Sequence, residues 1–129
     1  MSKDLHKILI ADDDERNIFA ICAVLRSRGY LCVPASSGER ALALLQSDPA
    51  ICLALIDIMM PGIDGYELMR KVRATDRLQR IRLIAVTARA MSGDREKCFE
   101  AGADAYLSKP VDAELLFTVV QEQLTMAGC

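Results

Sequence analysis

At four places in this sequence, polar residues end or follow a short apolar run and carry side chains suited to phosphoryl or metal chemistry. Three acids at positions 12–14 come directly after the run at residues 8–11. Asp57 ends an unbroken apolar run that begins at Cys52, Thr87 ends another, and Lys109 follows a last one. Side chains that follow parallel strands meet at one edge of a sheet, so we expect these residues to lie together.

The side chains fit phosphoryl transfer to a carboxylate. Closely spaced carboxylates repel one another unless a cation compensates them, and oxygen ligands that leave room for water favour Mg²⁺. A carboxylate at the end of a buried strand can attack phosphorus and form an aspartyl phosphate, which makes Asp57 the candidate nucleophile. The transferred group would then need a metal at Asp12 and Asp13, a positive charge from Lys109 and a hydroxyl from Thr87.

Each of these residues also has a purely structural explanation. Acids after a strand often cap the next helix, where the helix dipole favours them. Asp57 alone could start a turn, Thr87 could be a solvated strand end, and Lys109 could be a surface lysine. The functional interpretation depends on their occurrence together at successive strand ends.

The elements that must position these residues are predicted to be five βα repeats. Such repeats form a fold of the α/β class, with a parallel sheet and helices on both of its faces. Strands are predicted at residues 8–11, 30–35, 52–57, 82–87 and 105–107. Capping boxes are predicted at Ser36 with Glu39 and at Asp64 with Glu67. Ser92 is predicted to open the fourth helix, and Asp112 to cap a last helix that runs to about residue 126.

Composition limits the classes of protein that this chain could be. It has 129 residues, 52% of them hydrophobic, and a net charge of -2, which suits one compact domain without general affinity for nucleic acid or anionic membranes. Five scattered cysteines without metal-ligand spacing indicate reduced thiols. The polar start lacks the apolar stretch of a signal peptide, so a cytoplasmic location is expected.

Four segments together resemble response-regulator receiver domains: ILIADD at residues 8–13, LIDIMMPGIDGYEL at 55–68, IAVTA at 84–88 and AGADAYLSKP at 101–110. The resemblance covers nearly the whole chain. It implies a flavodoxin-like (βα)5 three-layer sandwich whose five-stranded parallel sheet has the order 2-1-3-4-5. It also implies a single receiver domain over residues 1–129, with a core at about 6–126.

The resemblance implies a role for each residue near the acceptor. Asp57 would be the phosphoacceptor and a Mg²⁺ ligand, Asp13 a direct ligand, Asp12 a ligand through water, and the Met59 backbone carbonyl a further ligand. Mn²⁺ is expected to substitute for Mg²⁺.

The same resemblance implies how the phosphoryl group is held and sensed. Lys109, the Thr87 hydroxyl and the Ala88 backbone N–H would bind it, and Lys109 would precede Pro110 through a cis peptide bond. Thr87 and Tyr106 would act as the switch that changes the surface of the fourth helix, the fifth strand and the fifth helix.

A receiver domain of this kind would be a signalling switch and not a turnover enzyme by itself. Its phosphoryl donor would be a sensor histidine kinase or a histidine phosphotransfer protein, and its output an unknown downstream protein target. No direct nucleic-acid or membrane partner is expected. The chain could be a stand-alone regulator or a receiver from a hybrid histidine kinase.

Three other functions are weighed against this one. A phosphatase of the haloacid-dehalogenase kind would use Asp12 and Asp14. It also needs a small residue or threonine soon afterwards and a cap domain, and both Glu15-Arg16 and the short chain argue against it. A flavodoxin-like electron carrier needs a hydroxyl- and glycine-rich loop after the first strand, where this chain has three acids. A scaffold with the receiver fold and no phosphorylation would not require the complete set of polar residues.

Overall fold

A computed structural model describes residues 7–88 and 93–127 of the chain. The strands are β1 (Lys7–Ala11), β2 (Leu31–Ala35), β3 (Ile51–Asp57), β4 (Arg82–Thr87) and β5 (Ala105–Ser108). The helices are α1 (Glu15–Ser27), α2 (Gly38–Ser47), α3 (Gly65–Arg73), α4 (Asp94–Ala101) and α5 (Ala113–Ala127), with a 3₁₀ turn over Asp76–Leu78. The predicted start of the domain core, at residue 6, and the predicted start of the fourth helix, at Ser92, lie outside the described residues.

All strand pairs are parallel, and the sheet order is β2-β1-β3-β4-β5. Alternate residues of a strand point to opposite faces of the sheet, and both faces are buried. Leu9, Ala54 and Leu83 pack on the face covered by α2, α3 and α4. Ile8 and Leu53 pack on the other face, against α1 and α5. This arrangement confirms the predicted flavodoxin-like (βα)5 sandwich and its strand order.

Two of the predicted helix starts are confirmed and one is wrong. The Asp64 carboxylate accepts a hydrogen bond from the Glu67 N–H at 2.9 Å, and Asp112 accepts one from the Leu115 N–H at 2.8 Å. The second helix is capped by Ser37, which accepts from Arg40, and not by Ser36. The helix begins at Gly38, where an added Cβ atom would lie 2.6 Å from the Ile63 carbonyl oxygen.

The cysteines follow the sequence-based expectation only in part. Cys22, Cys32 and Cys98 are free thiols, and burial raises the pKa of the Cys98 thiol. Cys52, in contrast, is disulfide-bonded. The expectation of reduced thiols throughout is therefore wrong for Cys52. A sequence cannot show such a pairing, because it depends on which sulfur atoms the fold brings together.

The lower edge of the sheet, at the amino-terminal ends of β4 and β5, is held together by Arg73. Its guanidinium donates to the carbonyl oxygens of Gly102 at 2.9 Å and Ile81 at 2.7 Å, and to Asp104 at 2.6 Å. Asp104 also accepts the Leu83 N–H at 2.9 Å. These contacts tie the ends of α3 and α4 to β4.

Replacing Arg73 should therefore cost stability without touching the opposite edge of the sheet. We expect Arg73→Met to lower the free energy of unfolding by about 2 kcal/mol, since it leaves the part-buried carbonyl groups of Gly102 and Ile81 without this donor and removes one partner of Asp104. Urea unfolding measures the loss. Arg70→Met is the matched control, because Arg70 is an exposed arginine on the same helix; an equal loss in both variants would contradict the role given to Arg73.

Candidate functional site

The carboxyl-terminal edge of the sheet brings together the acids that follow β1 and end β3. One carboxylate oxygen from each of Asp12, Asp13 and Asp57 lies within 4.8 Å of the others. Asp12 and Asp57 are buried, with 2% and 4% of their surfaces exposed, whereas Asp13 faces solvent. The third acid of the run, Asp14, caps α1 and accepts a hydrogen bond from the Arg16 N–H at 2.9 Å.

Lys109 reaches this cluster from the loop after β5. Its ammonium nitrogen lies 3.2 Å from Asp12 Oδ2 and 3.3 Å from Asp57 Oδ2, so it bridges the two buried carboxylates. The Lys109 N–H donates to the Thr87 carbonyl oxygen at 2.8 Å. The peptide bond from Lys109 to Pro110 is cis, as the sequence predicted. The cis bond and the backbone hydrogen bond together fix the start of this loop against the end of β4.

The second oxygen of each buried carboxylate accepts a backbone hydrogen bond. Asp57 Oδ1 accepts from the Met59 N–H at 3.1 Å, and Asp12 Oδ1 accepts from the Asp14 N–H at 2.9 Å. These bonds fix the orientation of both carboxylates. The side chain of Met59 is about half exposed at the mouth of the site.

The electrostatics of the site follow from burial and from the excess of negative charge. Burial raises the pKa of the Asp57 carboxyl to about 6, with the Asp12 charge adding to the rise while the Met59 N–H and Lys109 oppose it. For Lys109, burial lowers the pKa, but the Asp57 and Asp12 carboxylates outweigh burial and raise it overall. One ammonium thus faces three carboxylates, an arrangement that favours a further cation.

The remaining predicted residues lie near this edge. Thr87 ends β4 and is 2% exposed, and Ala88 follows it as an exposed residue. Tyr106 lies in β5 opposite Ala85 of β4, and its half-buried side chain packs on the same face of the sheet as Cys98. Burial raises the pKa of the Tyr106 hydroxyl. Residues 89–92, which connect β4 to α4, lie outside the described residues.

Sequence reasoning missed the apolar surface beside the site. A cavity of about 510 Å³ is lined by Asn17, Ile21, Lys109, Pro110 and neighbouring residues, and Phe19 on α1 is 76% exposed. Phe19 lies outside the stripe of α1 residues that pack on the sheet. That departure from helical spacing is the signal that could have identified it.

Within the part of the chain that the structure describes, no helix is long and apolar enough to cross a membrane.

Known proteins share both the sequence pattern and the fold of this chain. The hybrid signal transduction protein dokA of Dictyostelium discoideum is 39% identical over 84% of the chain, which spans only 6% of that protein's length. The two-component response regulator ORR5 of Oryza sativa subsp. japonica is 36% identical over 81% of this chain and 78% of its own length.

One of the similar solved structures contains a metal ion. The receiver domain of sensor histidine kinase PA1611 from Pseudomonas aeruginosa PAO1, with a magnesium ion coordinated in its active site cleft, superposes with a TM-score of 0.86. It is 34% identical, and the match covers 93% of this chain and 98% of that one. The family model described as the response regulator receiver domain matches residues 8–121. The chain therefore belongs to the response-regulator receiver domain family of two-component signal transduction.

Proposed function

We propose that this domain accepts a phosphoryl group on Asp57 from a phosphohistidine donor in a Mg²⁺-dependent reaction, and that the modified state changes a partner-binding surface. The observation that carries the proposal is the convergence of three carboxylates within 4.8 Å, with Lys109 bound to the two buried ones. Receiver domains are signalling domains that are phosphorylated by histidine kinases or phosphotransfer proteins, which supports this assignment.

Asp57 is the nucleophile in this proposal. One of its carboxylate oxygens forms a bond to phosphorus while the bond from phosphorus to the donor imidazole nitrogen breaks, and the imidazole leaves. The Met59 N–H holds Oδ1 in place at 3.1 Å, so the carboxylate is oriented before the donor arrives. Burial removes water from the attacking group, which strengthens each interaction with the phosphoryl oxygens.

The oxygen donors at this edge fit a hard divalent cation. Asp12, Asp13 and Asp57 supply carboxylate oxygens, the Met59 carbonyl is the proposed fourth protein ligand, and exposed Asp13 leaves room for water. When bound, Mg²⁺ neutralises charge on the phosphoryl oxygens and offsets the repulsion among the acids. Mn²⁺ has the same preference for oxygen ligands and should replace it.

Three groups of this chain are proposed to hold the phosphoryl oxygens. Lys109 supplies a positive charge 3.3 Å from the acceptor, and Thr87 and the Ala88 N–H supply hydrogen bonds from the end of β4. Lys109 must leave its present contact with Asp57 Oδ2 to bind the new group. Because Lys109 is also bonded through its backbone to Thr87, this movement links β4 to β5.

The same movement is proposed to operate the switch. When the Thr87 hydroxyl turns toward the phosphoryl group, the half-buried ring of Tyr106 turns into the space beside it. This change biases the surface formed by α4, β5 and α5, where Phe99 and Leu115 are exposed. A downstream protein that binds one of the two surface states would read the signal.

The donor is proposed to approach over the cavity next to Lys109. The cavity residues Ile21 and Pro110 give an apolar contact area next to Lys109, which contacts the acceptor. Phe19 is exposed on the same helix as Ile21. A sensor kinase or histidine phosphotransfer protein bound there would place its phosphohistidine in line with Asp57. The extent of the domain over residues 1–129, the cytoplasmic location and the absence of a nucleic-acid partner stay predictions.

Intact-mass measurement tests this function against the alternative of a scaffold that is not phosphorylated. The protein is incubated with phosphoramidate with and without Mg²⁺, and the expected result is one added phosphoryl group that depends on the metal. The gain should disappear after alkaline treatment, as for any acyl phosphate. Absence of any gain, with several small donors and with Mn²⁺ as well, would favour the scaffold.

Lys109→Ala should separate phosphorylation from the response to it. We expect phosphorylation to slow by about tenfold, because one charge-assisted contact to the phosphoryl group is lost. Phosphorylation should change hydrogen exchange in α4 and β5 of the wild type. Most of that change should be absent from Lys109→Ala at an equal degree of phosphorylation. Lys71→Ala, which removes an exposed lysine of α3, should behave as wild type. An undiminished exchange response in Lys109→Ala would contradict the proposed link.

A further inference from the structure

The lower edge of the sheet carries a concentration of positive charge that the phosphorylation site does not use. Residues 70–82 contain six of the chain's 16 basic residues and one acid, although the protein as a whole has a net charge of -2. Arg73 and Arg82 are bound to Asp104. Arg77 and Arg80 are exposed and make no ion pair with any residue in the described ranges 7–88 and 93–127.

These two arginines line a cavity of about 340 Å³ that is bounded by the end of α2, the 3₁₀ turn and the start of β4. The start of β3, including disulfide-bonded Cys52, and Ala127 at the end of α5 complete its lining. Its apolar lining includes Leu45, Leu78 and Ile81. Asp48 also lines the cavity, but its carboxylate is bound to the Lys7 ammonium at 2.8 Å, and this contact lowers the pKa of the Asp48 carboxyl. The charge facing a ligand at this cavity is therefore that of the arginines.

We propose that this cavity docks an acidic segment of a partner protein, which inserts one apolar side chain between Arg77 and Arg80. Charge complementarity selects the acidic segment, because two arginines without partners in the described chain gain charge-assisted hydrogen bonds from carboxylates. The concave apolar floor selects a protein over a nucleic acid, since it offers no aromatic ring for base stacking. A cavity of this size can hold one inserted side chain, whereas a flat membrane surface could not enter it.

The position of the cavity separates it from the phosphorylation site. β3 begins at Ile51, which lines the cavity, and ends at Asp57, so the two sites lie about 20 Å apart across the sheet. A segment bound at the lower edge leaves Asp57, Lys109 and the surface of Phe19 uncovered. The domain would thus be tethered to its partner in both phosphorylation states.

Fluorescence anisotropy with a defined peptide tests the proposal on the whole chain. The probe is a labelled peptide of Asp and Glu with one central Leu, and the comparison peptide has Gly in place of Leu. We expect saturable binding that weakens with salt, is several-fold weaker for the Gly peptide, and falls about tenfold in Arg77→Gln/Arg80→Gln. The double variant Arg26→Gln/Arg40→Gln removes two exposed arginines elsewhere and should bind as wild type.

Several results would overturn the proposal. These are absence of saturable binding up to about 1 mM peptide, an equal loss in both double variants, or equal affinity for the Leu and Gly peptides. Binding of duplex DNA or anionic vesicles with the same dependence on Arg77 and Arg80 would also overturn it, because the two arginines would then bind polyanions in general. Phosphorylation by phosphoramidate should be unchanged in Arg77→Gln/Arg80→Gln, so this test is independent of the proposed switch function.

Discussion

Asp57→Asn is expected to abolish phosphorylation, lowering its rate by at least about a thousandfold, and to stabilise the metal-free protein. The amide keeps the shape of the carboxylate but lacks the charge needed to attack phosphorus. The pKa of Asp57 is raised from 3.8 to about 6. Its contribution to stability is therefore present below pH 3.8 and lost as the pH rises through about 6. At pH 7 the charged group is a net cost, and its removal should raise the free energy of unfolding by about 1 kcal/mol.

Two measurements check this pair of effects. Intact mass after incubation with phosphoramidate and Mg²⁺ gives the phosphorylation, and urea unfolding without metal gives the stability. Asp14→Asn is the matched control, because it removes an adjacent acid while keeping a good helix cap, and it should be phosphorylated as wild type. Phosphorylation of Asp57→Asn at a rate near that of wild type would show that another residue is the acceptor.

Gly65→Ala is expected to lower the phosphorylation rate by about a hundredfold although Gly65 touches no phosphoryl group. A Cβ atom at Gly65 would meet the Ile58 Cα at 2.6 Å and the Asp57 carbonyl oxygen at 2.7 Å. Either α3 or the end of β3 must move, and a shift of about 1 Å at a reacting group costs this much in rate. The overpacking should also destabilise the fold by about 2 kcal/mol.

A variant at a second glycine, Gly93, is the control that distinguishes displacement of the acceptor from the mere loss of a glycine. Gly93→Ala introduces a Cβ atom with no neighbour within 4 Å, at a residue whose φ is +96°. It should cost about 1 kcal/mol from backbone strain and leave phosphorylation unchanged. Stability is measured by urea unfolding and phosphorylation by intact mass. Equal rates of phosphorylation in Gly65→Ala and wild type would contradict the close packing of α3 on the acceptor strand.

Most of the fold could be predicted from the sequence because apolar periodicity and turn residues both mark the βα repeats. The fourth strand has the predicted limits, and the acids at residues 12–14 and 57 lie at one edge, as the parallel sheet requires. The sequence could not decide between Ser36 and Ser37 as a helix cap. Either serine can cap a helix by residue type, and the extended backbone at Ser37 in the folded chain is what makes it the cap.

The details of the site depend on tertiary structure in the same way. No spacing shows that Lys109 bridges Asp12 and Asp57, because the three residues come from different strands. The burial that raises the pKa of Asp57 likewise depends on the whole sheet. The contacts of Arg73 and the cavity at Arg77 and Arg80 were also missed, since a basic stretch after a helix usually indicates only a solvated surface.

Chemical trapping of the phosphorylated residue tests the central claim most directly. Borohydride reduces the acyl carbonyl of an aspartyl phosphate to an alcohol and releases phosphate, so the modified aspartate becomes homoserine. The protein phosphorylated with phosphoramidate and Mg²⁺ is reduced, digested and mapped by tandem mass spectrometry. We expect homoserine at position 57 in wild type and at no position in Asp57→Asn. Homoserine at Asp12 or Asp13, or a stable phosphoryl group on another residue type, would contradict the assignment of Asp57 as the acceptor.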